Sequence, residues 1–103
     1  MTKDIYLISV VGFVYRTPHI KTDKEGKQYV CFTIVTNSIK ETPRPQFHIR
    51  VYDQEMMMMT LTLERNIKIC VTGEYQDAVT VIAGCLLISQ KIIASQIEIV
   101  TVK

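Results

Sequence analysis

The sequence is poor in the residues that build metal sites and disulfide frameworks. Its 103 residues include three cysteines and two histidines. Cys31, Cys70 and Cys85 are odd in number, and none of them lies at CxxC spacing. Each falls in an apolar stretch, which indicates small buried hydrophobic side chains. With His19 and His48 isolated as well, we predict no disulfide framework, no metal site and no cofactor.

The chain also lacks long apolar runs and the sequence signatures of catalysis. No stretch approaches the roughly 20 apolar residues that cross a bilayer, so we predict no membrane partner. The first residues, MTKDIYLISV, do not form a signal peptide, and the expected location is the cytoplasm. Paired carboxylates in a motif, a nucleophile–histidine pattern and a phosphate-binding glycine loop are all missing, so we predict that the protein is not an enzyme.

The charge is small overall but uneven along the chain. The formal net charge is +2, and residues 16–50 hold seven basic against three acidic residues. The rest of the chain is correspondingly acidic. A basic stretch on a nearly neutral protein indicates either an anionic partner or a solvated loop surface. The length and the 48% hydrophobic content suit a single globular domain over residues 1–103.

Strand-like patterns dominate the sequence. Strands are predicted over 5–15, 29–37, 47–53 and 66–75, with a last strand over 91–103. Gly12 within the first strand indicates a bulge or a bend. The segment 17–28 contains a predicted turn around Lys24–Gly26, and 38–46 is predicted as a loop because it holds two prolines. The uncharged segment 78–89 is compatible with a hairpin that turns near Ala83–Gly84.

A single helix is predicted, over 54–65, where Met56–Met59 follow one another. Four consecutive methionines cannot all face one side of a helix, so some fill the core and others are exposed or lie in an interface. Strands at short spacing with glycine bends indicate a small barrel or a sandwich. The strand order with one helix between the third and fourth strands fits an all-β OB-fold, the five-stranded Greek-key barrel.

Five segments together resemble the bacterial single-stranded DNA-binding protein family, and within it the short, tailless relatives of the primosomal PriB type. They are ISVVGFVYRTPHIK (8–21), EGKQYVCFTIVTN (25–37), QFHIRVYDQ (46–54), IKICVTGEY (67–75) and KIIASQIEIV (91–100). The resemblance implies an OB-fold that binds single-stranded DNA without strong sequence preference. The implied processes are DNA replication, restart, recombination or mobile-element transfer.

The sequence departs from that family in three respects. It has no tryptophan, a residue on which the family often stacks bases, and it ends at Lys103 without an acidic tail. The segment 78–90 is uncharged where the family is usually basic, which favours protein–protein contact there. Phe47 and Tyr52 occupy positions similar to the base-stacking aromatics of the family.

The segment FHIRVYDQ (47–54) carries the predicted binding face. Alternation places His48, Arg50 and Tyr52 on one side and Phe47 on the other, with the apolar residues. The resemblance, in contrast, implies a base contact for Phe47, so this residue is left between the core and the interface. The full set of predicted nucleic-acid-binding residues is Arg16, Lys21, Phe47, His48, Arg50, Tyr52 and Lys68.

Several alternatives stay open at this point. For His48 the competing interpretation is a solvated or subunit-contact residue, and Tyr15, Tyr29 and Tyr75 are expected to pack rather than to stack. The second function hypothesis is an OB-fold assembly module that joins proteins and binds nucleic acid weakly or not at all. Self-association into a homodimer or homotetramer is predicted from the apolar residues of 56–63 and 78–89, and replication or primosome proteins are further candidate partners.

Overall fold

The structure of the protein is a computed structural model that describes residues 6–36 and 46–101, with the side chains of 77–82 and 85–89 outside the description. Within these ranges the elements are β1 (Tyr6–Thr22), β2 (Gln28–Thr36), β3 (Gln46–Val51), α1 (Gln54–Thr60), β4 (Lys68–Ile82) and β5 (Cys85–Ile99). No helix of the described residues is long and apolar enough to cross a membrane.

The strands of the described residues close a barrel in the order β1-β2-β3-β5-β4. Neighbouring strands are antiparallel except β3 and β5, which pair in parallel. Five strands, a closed barrel and one helix between β3 and β4 confirm the predicted OB-fold.

Alternation along β2 and β3 separates the inner face of the barrel from the outer one. Val30, Phe32 and Ile34 of β2 are buried and pair with Val51, Ile49 and Phe47 of β3. Ile69 and Val71 of β4, Val14 of β1 and Ile92 of β5 complete this core. The side chains between them on each strand therefore form the outer face.

Gly12 and Gly73 are required by close backbone approach. A Cβ atom on Gly12 would lie 2.6 Å from the carbonyl oxygen of Val35, at the point where β1 is flanked by both β2 and β4. On Gly73 a Cβ would meet the carbonyl of Ile93, where the β4–β5 register shifts. The bulge predicted near Gly12 lies two residues further along, between Val14 and Arg16.

The first strand is longer than the sequence predicted. β1 continues through 17–22 to Thr22, and a second register shift between Arg16 and His19 accommodates Pro18. The turn covers Asp23–Lys27, where the N–H groups of Glu25 and Lys27 each donate to Asp23 Oδ1 over 2.9 Å. Gly26 occupies the left-handed region of this turn, with φ 85°.

The helix is shorter than the sequence predicted. It begins after the N-cap Asp53, whose carboxylate accepts the N–H of Met56 at 3.0 Å, and it ends at Thr60 rather than at 65. The hydroxyl groups of Thr60 and Thr62 donate to backbone carbonyls of the preceding turn, which competes with continued helix. Three of the methionines, Met56, Met57 and Met59, pack against the core, and Met58 is exposed.

The uncharged segment forms a hairpin that turns at Ala83 and Gly84, both at positive φ. The sequence predicts separate elements over 78–89 and 91–103, whereas in the structure one strand, β5, continues from Cys85 to Ile99. The predicted loop 38–46 lies outside the described residues apart from Gln46, which opens β3.

Candidate nucleic-acid interface

The outer face of β1, β2 and β3 gathers cations and aromatic rings from three separate parts of the sequence. His19 of β1 pairs with Cys31 of β2, which pairs with Arg50 of β3. Arg16 of β1 pairs with Thr33 of β2, which pairs with His48 of β3. Lys21 pairs with Tyr29 at the end of the face nearest the β1–β2 turn. Five of the seven predicted residues therefore lie on one continuous surface: Arg16, Lys21, His48, Arg50 and Tyr52.

Two tyrosines and an arginine form the centre of this surface. The ring centroids of Tyr29 and Tyr52 are 5.3 Å apart with the planes tilted by 35°. The guanidinium carbon of Arg50 lies 4.5 Å from the centroid of Tyr29. Tyr29 is only 6% exposed because Arg50 and Tyr52 cover it, whereas Tyr52 is half-buried. Tyr29 thus supports the other two, and the surface presented to a ligand is the ring of Tyr52 beside the Arg50 guanidinium.

A chain of polar contacts links this centre to the β1–β2 turn. Arg50 Nη1 donates to the Tyr52 hydroxyl at 3.4 Å, and that hydroxyl donates to Asp23 Oδ2 at 3.5 Å. Both contacts are long, so each restrains the partners only weakly. The other carboxylate oxygen of Asp23 accepts the N–H groups that close the turn, so Asp23 contacts both the turn and the aromatic centre.

The centre lies in an open groove. One part of the groove has a volume of about 1310 Å³ and runs between the turn 22–28, the rings of Tyr29 and Tyr52, and the start of α1. A smaller part of about 370 Å³ continues past Arg50 toward Arg16 and His48. Tyr29 and Arg50 line both parts, which makes them the middle of an extended path.

Cations outnumber carboxylates along the path, which is lined by Arg16, Lys21, Lys24, Lys27, Arg50 and Lys91 against Asp23 and Glu25. Burial, and then the nearby charge of Arg50, lower the pKa of Lys91 below its ordinary value. Lys91 lines the larger part of the groove and pairs in register with His48 across the parallel β3–β5 contact. Among the described side chains, no carboxylate forms an ion pair with Arg16, Lys21, Arg50 or Lys91. These cations are thus available to an anionic ligand.

The two histidines make contacts within the same face. Thr33 Oγ1 lies 3.3 Å from His48 Nδ1, and Cys31 Sγ lies 3.3 Å from His19 Nε2. Both rings are exposed: His19 lies on β1 between Arg16 and Lys21, and His48 lies on β3 two residues before Arg50. Among the described side chains, no three of metal-ligating type converge on one point.

The remaining two predicted residues lie elsewhere. Phe47 pairs with Ile34 on the inner face and packs against the core, as the alternation indicated and the resemblance did not. The base contact that the resemblance implies for Phe47 stays a prediction. Lys68 is on the outer face but across β1, where its amino group lies 5.9 Å from the ring centroid of Phe13.

Sequence reasoning missed Tyr29 and Lys91. The alternation of β2 places Tyr29 on the outer face with Cys31 and Thr33. Its contact with Arg50, however, depends on the register between β2 and β3, which the sequence does not show. Lys91 joins the groove only through the parallel pairing of β3 with β5, which are about 40 residues apart in the chain. No local pattern predicts such a contact.

Comparison with known proteins gives a likeness in structure. No protein-family model and no curated protein matches the sequence. Among solved structures, a small single-stranded DNA-binding protein from Streptomyces coelicolor is similar at a TM-score of 0.75 and 19% identity, over 94% of this chain and 95% of that one.

Two further structures show the same likeness. The mitochondrial single-stranded DNA-binding protein from S. cerevisiae is similar at a TM-score of 0.75 and 12% identity, over 93% of this chain and 96% of that one. The Plasmodium falciparum SSB in complex with ssDNA is similar at a TM-score of 0.74 and 18% identity, over 98% and 99% of the two chains. At these identities the likeness establishes the shared fold over nearly the whole chain.

Proposed function

We propose that this chain is a non-catalytic OB-fold protein that binds single-stranded DNA without strong sequence preference. The observation that carries the proposal is the Tyr52 ring beside the Arg50 guanidinium in an open groove lined by further cations. The structural likeness to three proteins described as single-stranded DNA-binding supports the same conclusion.

The chemistry of an unpaired strand matches both parts of the groove. Its bases expose flat faces, which stack on an aromatic ring or on a guanidinium plane whatever the base is. Its phosphates need cations at intervals, which Arg16, Lys21, Arg50 and Lys91 supply on either side of the rings. Recognition by stacking and charge explains the absence of strong sequence preference in the proposal.

A duplex fits the same surface poorly. Stacked and paired bases have no free face for Tyr52, so a duplex would contact only the cations. The energy gained from the aromatic centre is therefore available to single strands alone. This difference favours a role where single strands are exposed, in replication, restart, recombination or mobile-element transfer.

Self-association belongs to the same proposal. Leu7, Val11 and Ile99 are more than 40% exposed on β1 and β5, away from the groove. Met58 and Leu61 add exposed apolar surface next to α1. Such surface is typical of subunit contacts, and we propose a homodimer or homotetramer, with replication or primosome proteins as further partners. Light scattering at several concentrations measures the mass directly.

The proposal is tested by fluorescence anisotropy with labelled oligothymidine and a matched duplex at several salt concentrations. If the four cations each neutralise one phosphate, the slope of log K against log salt is about −2.8 for the single strand. The duplex is expected to bind far more weakly at moderate salt. Single-strand binding that vanishes at moderate salt, together with a stable complex with another protein, would instead support the assembly-module hypothesis.

A further inference from the structure

A second pair of cation–aromatic contacts lies on the outer surface of the barrel, beside β1. The guanidinium carbon of Arg65 is 5.4 Å from the ring centroid of Tyr15, and the amino group of Lys68 is 5.9 Å from that of Phe13. Tyr15 is 41% exposed, Arg65 is exposed, and Phe13 and Lys68 are half-buried. The proposed binding centre of Tyr29, Arg50 and Tyr52 uses none of them.

A β-bulge in β1 places this second cluster on the outer face. Val14 points into the core, and the bulge that follows it leaves both Tyr15 and Arg16 opposite Thr33, an outer-face residue. Two residues of β1 are thus presented where a regular strand would present one. The bulge accounts for a large aromatic residue exposed directly beside a cation of the groove.

The position of Arg65 is fixed by the backbone on the other side of β1. Asn66 donates its N–H to the carbonyl of Val14 at 2.8 Å, and Val14 donates to the carbonyl of Ile67 at 3.0 Å. Asn66 adopts a left-handed conformation, with φ 73°, which asparagine tolerates better than most residues. The segment before β4 is therefore held against β1, which places Arg65 beside Tyr15.

The second cluster is continuous with the groove. Arg16 follows Tyr15 directly, and from Arg16 the register runs through Thr33 to His48 and then to Lys91. Adjacent strands are about 4.8 Å apart, so the step from β1 to β3 is on the order of 10 Å. No carboxylate of the described side chains forms an ion pair with Arg65 or Lys68. The Tyr15 ring and the Arg65 and Lys68 cations can therefore contact a ligand that offers both a base and a phosphate.

We infer that Tyr15, Arg65, Phe13 and Lys68 form a second binding patch for the same single strand, which runs from Tyr52 across β1 to the start of β4. The inference rests on the proposed function and adds to it a path for the strand. A base stacks on Tyr15, and Arg65 and Lys68 contact the phosphates that flank it. A short oligonucleotide occupies the Tyr52 centre alone, and a longer one occupies both places.

The test compares oligothymidines of two lengths, about 5 and about 16 nucleotides, which lie near the two ends of the range bound by a single OB-fold. The double variant Tyr15→Ala/Arg65→Ala is measured beside Tyr15→Phe/Arg65→Lys, which keeps a ring and a positive charge. We expect the alanine variant to bind the short oligonucleotide like the unmodified protein. It should bind the long one about 5- to 150-fold more weakly, the loss that corresponds to one stacked base. The conservative variant should stay close to the unmodified protein on both.

The outcomes separate this inference from the function on which it rests. If the unmodified protein binds both lengths and the alanine variant binds both equally well, the second patch is overturned and the proposed function stands. If the alanine variant weakens both lengths alike, the cluster acts by shaping the barrel, and the second patch is again overturned. If the unmodified protein binds neither length, the proposed function fails and the inference falls with it. Urea unfolding of each variant shows whether the barrel is intact.

Discussion

Tyr52 offers the sharpest test of how the groove works. Its ring is the aromatic surface that the groove presents, and its hydroxyl makes two long contacts, to Arg50 at 3.4 Å and to Asp23 at 3.5 Å. The ring and the hydroxyl are separated by two substitutions. Tyr52→Ala removes both, and Tyr52→Phe removes the hydroxyl alone.

The expected magnitudes differ by more than the error of a titration. Loss of a stacked base costs about 1–3 kcal/mol, so Tyr52→Ala should weaken oligothymidine binding by about 5- to 150-fold. The hydroxyl contacts are long, and their loss should cost no more than about 0.6 kcal/mol, or about threefold. Tyr52→Phe is therefore expected to bind nearly as well as the unmodified protein.

Salt dependence gives a second, independent readout. Stacking involves no counterion release, so Tyr52→Ala should lower log K by the same amount at every salt concentration. Arg50→Ala removes one phosphate contact and should reduce the slope against log salt by about 0.7. Fluorescence anisotropy at four or more salt concentrations measures both quantities. If Tyr52→Phe is as damaging as Tyr52→Ala, or if Tyr52→Ala leaves the affinity unchanged, Tyr52 does not act as a stacking ring.

Three further predictions follow from other parts of the structure. The pKa of Lys91 is lowered in the free protein, and a bound phosphate would raise it, so binding takes up protons. The affinity for oligothymidine should therefore fall as the pH rises through the lowered pKa. Lys91→Arg should flatten this pH dependence in the same titration. Gly73→Ala should reduce the free energy of urea unfolding by about 3 kcal/mol or more, since its Cβ meets backbone of β5, whereas Gly26→Ala, in open space at φ 85°, should cost about 1–2 kcal/mol; equal losses would contradict the packing argument. Phe47→Leu should lower the unfolding free energy by about 1 kcal/mol and leave oligothymidine affinity unchanged, and a large loss of affinity at unchanged stability would place Phe47 in the interface after all.

Local sequence patterns predict most of the fold. Alternation over 29–37 and 47–53 separates the inner from the outer residues of β2 and β3 correctly, because one face of each strand is fully buried. The turn at Ala83–Gly84 also lies where the sequence indicated it. The end of β1 was missed because Pro18 is normally a strand breaker, and the bulge that accommodates it has no sequence signature of its own.

The site was less accessible to sequence reasoning, for reasons of register. The neighbours of Arg50 and Tyr52 within β3 follow from period two, but Tyr29 beneath Arg50 requires knowing which β2 residue pairs with which β3 residue. Lys91 requires the non-local parallel pairing of β3 with β5. For Phe47, the alternation predicts the observed position among the core residues, whereas the family resemblance implies a contact with a base.

Photocrosslinking reports which side chain touches a base, and so shows directly whether Tyr52 lies against the bound strand. A complex with an oligothymidine that carries 5-iodouracil is irradiated, and the linked residues are located by fragmentation of the proteolytic peptides. We expect the main crosslink on Tyr52, in the groove between β3 and the β1–β2 turn. Crosslinks confined to Tyr6, at the far end of β1, with none on Tyr52, would contradict it.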